Sequence, residues 1–314
     1  MTARIGVVGS NMVDLVTYGE RLPLPGETLE APRFELGRGG KGANQAAAAA
    51  RLGARVLMVS RVGDDLFGQD TIAGMQALGM DTQHVQAVPG MTSGVAPIFV
   101  TPNGENSILI IKGTNDALLP PDIDAAADSL LECDLILLQL EIPLETVYHT
   151  IDWAHRNGRR VVLNPAPATR DLSFERIATV DFFMPNQTEL AILTGLPTAT
   201  VEEATAAARS LLDRGMRTVI VTLGADGALL VAQDREVRIP AIRVKAQDTT
   251  GAGDAFIGAF AFHHACGLDV QAALAEAACY AAHSVTRPGS QKSFATSAEF
   301  AEFRATLNEM RPSG

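Results

Sequence analysis

The segment Asp248-Thr-Thr-Gly-Ala-Gly-Asp254-Ala-Phe256 carries the most chemistry in the chain, because glycines and an aspartate stand where an apolar helix begins. Glycines there let the backbone approach a ligand, and the free N–H groups of the first helical turn form an anion site. An aspartate opposes plain anion binding. It suits a base that takes a proton from a hydroxyl while the amides of Gly251, Ala252 and Gly253 hold the charge of a transferring phosphoryl group. The same Asp254 also reads as a helix cap, favourable by roughly 1 kcal/mol, and this segment alone leaves both readings open.

A second glycine-rich segment, Gly37-Arg-Gly-Gly40-Lys41-Gly42-Ala-Asn44-Gln45-Ala46, also runs into an alanine-rich helix. Gly37, Gly39 and Gly42 satisfy G-x-G-x-x-G, which admits an NADP-dependent oxidoreductase. The loop follows no core strand, however, and the next strand ends on Ser60-Arg61 rather than an acid. Alternatively, the glycines bring backbone against a sugar while Lys41 and Asn44 bond its hydroxyls. No G-x-x-x-x-G-K-[ST] sequence occurs, which excludes a P-loop kinase. Glu141 follows the apolar run Leu135 to Leu140, where open α/β sheets bind ligands. Lys112 reads as an exposed edge charge, His263-His264 as surface residues and Trp153 as helix packing.

Such residues must be positioned by a frame. Apolar runs at Ile5 to Val8, Val56 to Val59, Leu135 to Leu138, Val161 to Leu163, Phe182 to Met184 and Val219 to Val221 read as strands buried on both faces. Helical patterns at Ala43 to Leu52, Leu144 to Arg156, Glu202 to Arg214, Ala252 to Ala265 and Ala272 to Val285 separate them, so a mainly parallel sheet flanked by helices is expected. Residues 14–37 and 94–111 instead alternate between turn signals, including Pro102-Asn-Gly104, and predict a small antiparallel sheet acting as a lid. The whole of 1–314 reads as one domain, a length that α/β units often reach.

With a formal charge of −11 and no long Lys or Arg block, the chain is a poor partner for nucleic acid or anionic membrane. No apolar stretch approaches the roughly 20 residues needed to span a bilayer. The first residues lack a signal-peptide pattern, and the three scattered cysteines (133, 266, 279) fit neither a zinc site nor a disulfide framework. They read as buried thiols of a cytoplasmic protein.

Taken together and in this order, about 200 residues apart, Gly39-Gly-Lys-Gly-Ala-Asn44 and Asp248-Thr-Thr-Gly-Ala-Gly-Asp254 resemble the two signatures of the ribokinase, or phosphofructokinase B, family of carbohydrate kinases. Asn164-Pro-Ala-Pro167, Pro185-Asn186-Gln-Thr-Glu189 and Thr222-Leu-Gly-Ala-Asp-Gly227 fall where that family has matching pieces. The resemblance implies a ribokinase-like three-layer α/β/α sandwich with a β-sheet lid, and ATP-dependent phosphorylation of a pentose with Asp254 as base. It implies that Asp14, Gly40, Lys41, Asn44 and Glu141 hold the sugar under an apolar wall of Ala96, Ile98 and Ile110. By the same resemblance Asn186 and Glu189 organise Mg²⁺ and phosphate, and Thr222, Gly224 and Gly227 line the ATP pocket. Asp248, Thr250, Ser284, Arg287, Gly289 and Ser293 match the loops around an activating monovalent cation, usually potassium, and a homodimer joined through the lids is implied.

Three departures bear on detail. Common bacterial ribokinases carry an asparagine two residues before the sugar-binding aspartate, where this chain has Met12. A ribose 2-hydroxyl buried against a thioether would lose a partner at about 1–3 kcal/mol, whereas a deoxy carbon packs against it. Running similarity to the family's deoxyribokinases, in Gly26-Glu-Thr-Leu-Glu-Ala-Pro32 and Ser93-Gly-Val-Ala-Pro-Ile-Phe99, points the same way, so 2-deoxy-D-ribose is the expected substrate and D-ribose the alternative. Gln187 stands where the family often has glutamate, and Pro288 and Lys292 alter the cation loop.

Overall fold

The computed structural model describes residues 2–102 and 105–309, in which the apolar runs become strands and the stretches between them helices. The strands are β1 Arg4–Val8, β2 Met12–Tyr18, β3 Arg33–Gly39, β4 Arg55–Gly63, β5 Asp81–Val88, β6 Val95–Val100, β7 Asn106–Ile108, β8 Leu135–Leu138, β9 Arg160–Leu163, β10 Phe182–Phe183, β11 Thr218–Thr222, β12 Ala228–Ala232 and β13 Arg235–Ile239. The helices are α1 Lys41–Leu52, α2 Leu66–Ala77, α3 Pro120–Ala125, α4 Ala127–Leu131, α5 Leu144–Arg156, α6 Phe174–Ile177, α7 Gln187–Thr194, α8 Val201–Asp213, α9 Ala252–Ala265, α10 Val270–Ser284 and α11 Ser297–Glu309.

Nine strands form one sheet in the order β13-β12-β11-β10-β9-β8-β1-β4-β5. All pairs from β5 across to β11 are parallel, and the hairpin β12–β13 adds two antiparallel edge strands that the sequence patterns did not reveal. Alternate side chains feed two separate cores, as pleating requires. On one face Ile5, Val7, Leu135, Leu137, Val162 and Ile220 pack with α1, α9 and α10. On the other Val8, Ile136, Leu138, Leu163 and Val221 meet α5, α7 and α8. Because both faces are covered, the strands read as continuous apolar runs.

The second sheet has the order β3-β2-β6-β7. Its outer pairs are antiparallel, but β2 and β6 run parallel, so the expected antiparallel lid is mixed. Both strands leave the parallel core at its carboxyl edge, β2 after β1 and β6 after β5, and therefore point the same way. The turn residues Asn103 and Gly104 lie outside the described residues. Phe34 and Leu36 of this sheet are more than half exposed.

Trp153 is buried in α5 as expected, and Lys112 is partly exposed, 3.5 Å from Asp116. His263 and His264 are partly buried rather than exposed. The middle of α9, Asp254 to Ala261, is buried on every side, and just beyond it His263 packs on Phe262 and Phe300, where burial pushes its pKa down to about 4. His264 stacks on Phe260 and contacts the Arg160 guanidinium at 2.7 Å. Of the cysteines, 133 and 279 are buried but Cys266, just past the end of α9, is exposed. No helix among the described residues is long and apolar enough to cross a membrane.

Candidate active site

Three carboxyl ends of parallel strands deliver polar residues to one place: Ser10 after β1, Gln139 and Glu141 after β8, and Asn164 after β9. The N-termini of α1 and α9 converge on the same place. Gly40 caps α1 at φ 87°, where a Cβ would stand 2.7 Å from Asn11 Cα, so only glycine lets the helix begin against the β1 loop. Gly251 caps α9 at φ 76°, where a Cβ would stand 2.9 Å from the Ser290 side chain. Two residues on, the Gly253 position faces open space.

Asp254 lies in the first turn of α9 and is 7% exposed. Asn44 Nδ2 donates to its Oδ2 at 3.0 Å, and Gln45 Nε2 donates to its Oδ1 at 3.1 Å. Glu141 Oε2 accepts from Ser10 Oγ at 2.5 Å and from the Lys41 backbone N–H at 2.8 Å. Burial, then Glu141, then Asp254 push the Asp14 carboxyl up to about 6. Burial presses the Lys41 ammonium down, but Asp254, Glu141 and Glu189 more than offset it and hold it above its ordinary value. Four carboxyl groups, Asp14, Glu141, Glu189 and Asp254, and one ammonium thus share one field.

The lid supplies the roof. Asp14 pairs with Ala96 and Val16 with Ile98, and paired residues share a face of a sheet. Leu109 N–H bonds Pro97 O and Ile111 exchanges bonds with Val95, which sets Ile110 across from Ala96 on that face. Met12 is buried, opposite Gly39 and on the same side of β2 as Asp14.

Asn186 and Glu189 form a capping box at the start of α7: Asn186 Oδ1 accepts the Glu189 N–H at 2.8 Å, and Glu189 Oε2 accepts the Asn186 N–H at 2.9 Å. Burial raises the Glu189 pKa, partly countered by the Asn186 N–H and by Lys41. Thr222 ends β11 beside Asn186, and Gly224 and Gly227 turn the chain into β12.

Asp248, Thr250, Ser284, Gly289 and Ser293 come together next to the α9 N-terminus. Asp248 Oδ1 accepts from Thr250 N–H at 2.9 Å and from its hydroxyl at 2.6 Å, while Oδ2 accepts the Gly289 N–H at 2.8 Å. Burial opposes ionisation of Asp248, but these bonds win and lower its pKa. Arg287 is the exception within this set. Its guanidinium turns away to Glu299 at 2.8 Å, leaving only its backbone to the loop.

Several polar residues given no role by sequence reasoning belong to the site: Ser10, Gln45, Gln139, Asn164 and Gln291. Their signal was their company. Gln45 precedes five alanines and Gln139 interrupts the apolar run Leu135 to Leu140, and an amide in such surroundings demands a partner. Conversely, the Arg61 guanidinium is tied to Asp122 and Gln86, so it is not free for a 2′-phosphate, and Gly37 and Gly39 lie inside β3 rather than in a dinucleotide loop.

Residues 2–297 match the model of the pfkB family of carbohydrate kinases. A deoxyribokinase from Salmonella typhi is 54% identical over 97% of this chain and 99% of its own. A mouse ribokinase is 39% identical over 93% of this chain and 92% of its own. Among solved structures, an Arabidopsis thaliana ribokinase with ribose and ATP superposes with a TM-score of 0.90 at 32% identity, covering 96% of this chain and 99% of that one.

Proposed function

The chain belongs to the pfkB family of carbohydrate kinases, and from that premise we propose that it transfers the γ-phosphoryl group of ATP to the 5-hydroxyl of 2-deoxy-D-ribose. The observation that carries this reading is the Asp254 carboxylate, held by two amides at the N-terminus of α9 beside open backbone at Gly253. The sugar lies between sheet and lid, with Asp14, Lys41, Asn44, Glu141 and the Gly40 backbone on its hydroxyls, and Ala96, Ile98 and Ile110 above it. As the 5-hydroxyl attacks, Asp254 takes its proton, and the amides of Gly251, Ala252 and Gly253 hold the charge in flight. The buried Met12 favours a substrate without a 2-hydroxyl. D-Ribose is the second reading, because relatives of both kinds share most of this chain's length.

Thr222, Gly224 and Gly227 line the nucleotide site, and Asn186 with Glu189 faces its phosphates. No cluster of three His, Cys, Asp or Glu that could hold a metal occurs among the described residues. That suits Mg²⁺, a hard ion bound chiefly by phosphate and water oxygens with one carboxylate nearby. The 248–250 and 284–293 loops offer mainly neutral oxygens and a single carboxylate, Asp248, which fits a monovalent cation such as K⁺. There, Ser284, Arg287, Gly289 and Ser293 would contribute through backbone, and the ion would steady the loops beside the α9 amides.

The test is ADP release with Mg²⁺-ATP and K⁺, comparing kcat/KM for 2-deoxy-D-ribose and D-ribose. A higher value for deoxyribose is expected. A higher value for ribose would keep the kinase and overturn the reading of Met12; turnover with neither would overturn the pentose.

A further inference from the structure

Behind Asp254 lies a directional chain of side-chain amides. Gln45 is fully buried, and its Nε2 lies 3.1 Å from Asp254 Oδ1 and 3.2 Å from Asn164 Oδ1. Its own Oε1 accepts from Gln139 Nε2 at 2.6 Å. Asn164 in turn donates through Nδ2 to Met184 O at 2.9 Å. On the other side, Gln291 Nε2 donates to Asn44 Oδ1 at 3.0 Å, and Asn44 Nδ2 donates to Asp254 Oδ2 at 3.0 Å.

The orientation of each amide follows from its neighbours. A carboxylate oxygen only accepts, so Asn44 and Gln45 must both present nitrogen to Asp254. Their oxygens then face outward, where Gln139 and Gln291 supply the N–H groups that satisfy them. Each outer amide thereby fixes the rotation of the inner one, and hydrogen bonds arranged head to tail polarise one another. The outer amides come from the segment just after β8 and from the 284–293 loop, so two separate parts of the fold set the plane of one carboxylate.

We propose that Gln45 and Gln291 are positioning residues for Asp254, Gln45 by holding Oδ1 directly and Gln291 by orienting the Asn44 amide that holds Oδ2. The inference rests on Asp254 being the base. A carboxylate anchored at both oxygens cannot swing about its terminal torsion, so the remaining lone pair stays aimed at the sugar hydroxyl. Loss of either anchor lets it turn, and misplacement on the order of 1 Å can lower turnover about a hundredfold.

The experiment is a double-mutant cycle between Gln45→Leu and Asp254→Ala, reading kcat and sugar KM, with sugar binding by calorimetry as a check on the folded site. Gln45→Leu is expected to lower kcat by about 10- to 100-fold with a much smaller change in KM. In the Asp254→Ala background it should remove nothing further, since no carboxylate is left to orient. Wild-type kcat in Gln45→Leu, or a loss that multiplies in full with that of Asp254→Ala, overturns the proposal and leaves Gln45 as a structural amide. Near-normal turnover of Asp254→Ala alone overturns the base instead, whatever Gln45 does. If Gln45→Leu fails to fold, the partly buried Gln291→Leu carries the same cycle, with the same non-additivity expected and full multiplication again decisive against it.

Discussion

Met12, buried at the start of β2 and opposite Gly39, offers a C2 substituent only a soft, weak acceptor. Met12→Asn is therefore expected to raise kcat/KM for D-ribose relative to 2-deoxy-D-ribose by about tenfold, the equivalent of one recovered buried hydrogen bond. Competition assays with the two sugars measure it. Asp254→Ala should lower kcat by roughly 10²- to 10⁴-fold while leaving calorimetric sugar binding largely intact. As a proposed sugar ligand, Asp14 should make sugar binding depend on pH. Raised from 3.8 to about 6 by burial, Glu141 and Asp254, it binds a proton more tightly in the folded chain. The folded state thus holds more protons between those values, and Asp14's contribution to stability falls as pH rises through the window. Sugar binding has the opposite sign, because the ionised carboxylate accepts from a hydroxyl more strongly than the neutral acid does. Affinity should weaken as pH falls through about 6, and titration calorimetry on Asp14→Asn should show that dependence gone. Glycine-rich helix starts made Lys41 and Asp254 legible in the sequence, and a strand end made Glu141 so, whereas Asp14 came only with the family resemblance. The amides were not, because Gln45 and Gln291 act through pairings with no regular sequence separation.

At the scale of elements, the site depends on how closely α1 approaches α9. A Cβ at Gly258 would stand 2.5 Å from Gln45 O and 2.7 Å from Ala48 Cβ, so the helices touch backbone to backbone there. Gly258→Val must part them, at a cost of about 1–3 kcal/mol. Because Gln45 and Asp254 ride on the two helices, kcat should fall together with the melting temperature; thermal denaturation and steady-state kinetics on one sample would show whether they do. Most of the central strands and five of the seven described helices of twelve or more residues were readable from apolar runs and helical periodicity, whereas α2 and α11 were not. The β12–β13 hairpin was not: Ala228 to Ala232 is buried throughout, and Arg235 to Ile239 alternates over only five residues. The mixed pairing of the lid was equally hidden, since strand direction is decided by where β1 and β5 end.

For the whole molecule, one face of the lid carries Asp14, Ala96 and Ile98, the side proposed to meet the sugar, and the other turns Phe34 and Leu36 to solvent. Apolar side chains grouped on one sheet face mark an interaction surface, and the homodimer through the lids that we propose would cover them. Light scattering is expected to give twice the chain mass, and the double substitution Phe34→Glu with Leu36→Glu should return it to one. The lid also differs from the core in how little it buries. β3 and β7 have few or no buried residues, whereas every residue of β8 is buried. Amide hydrogen exchange should resolve the molecule into two cooperative units, with the lid strands opening at far lower free energy than β1 and β8. Since β2 and β3 run directly into Met12, Gly39 and Gly40, a sugar bound at their inner ends would stiffen the whole flap. Protection spreading outward along β2 and β3 when sugar is added would make the lid a gauge of occupancy, readable without any turnover.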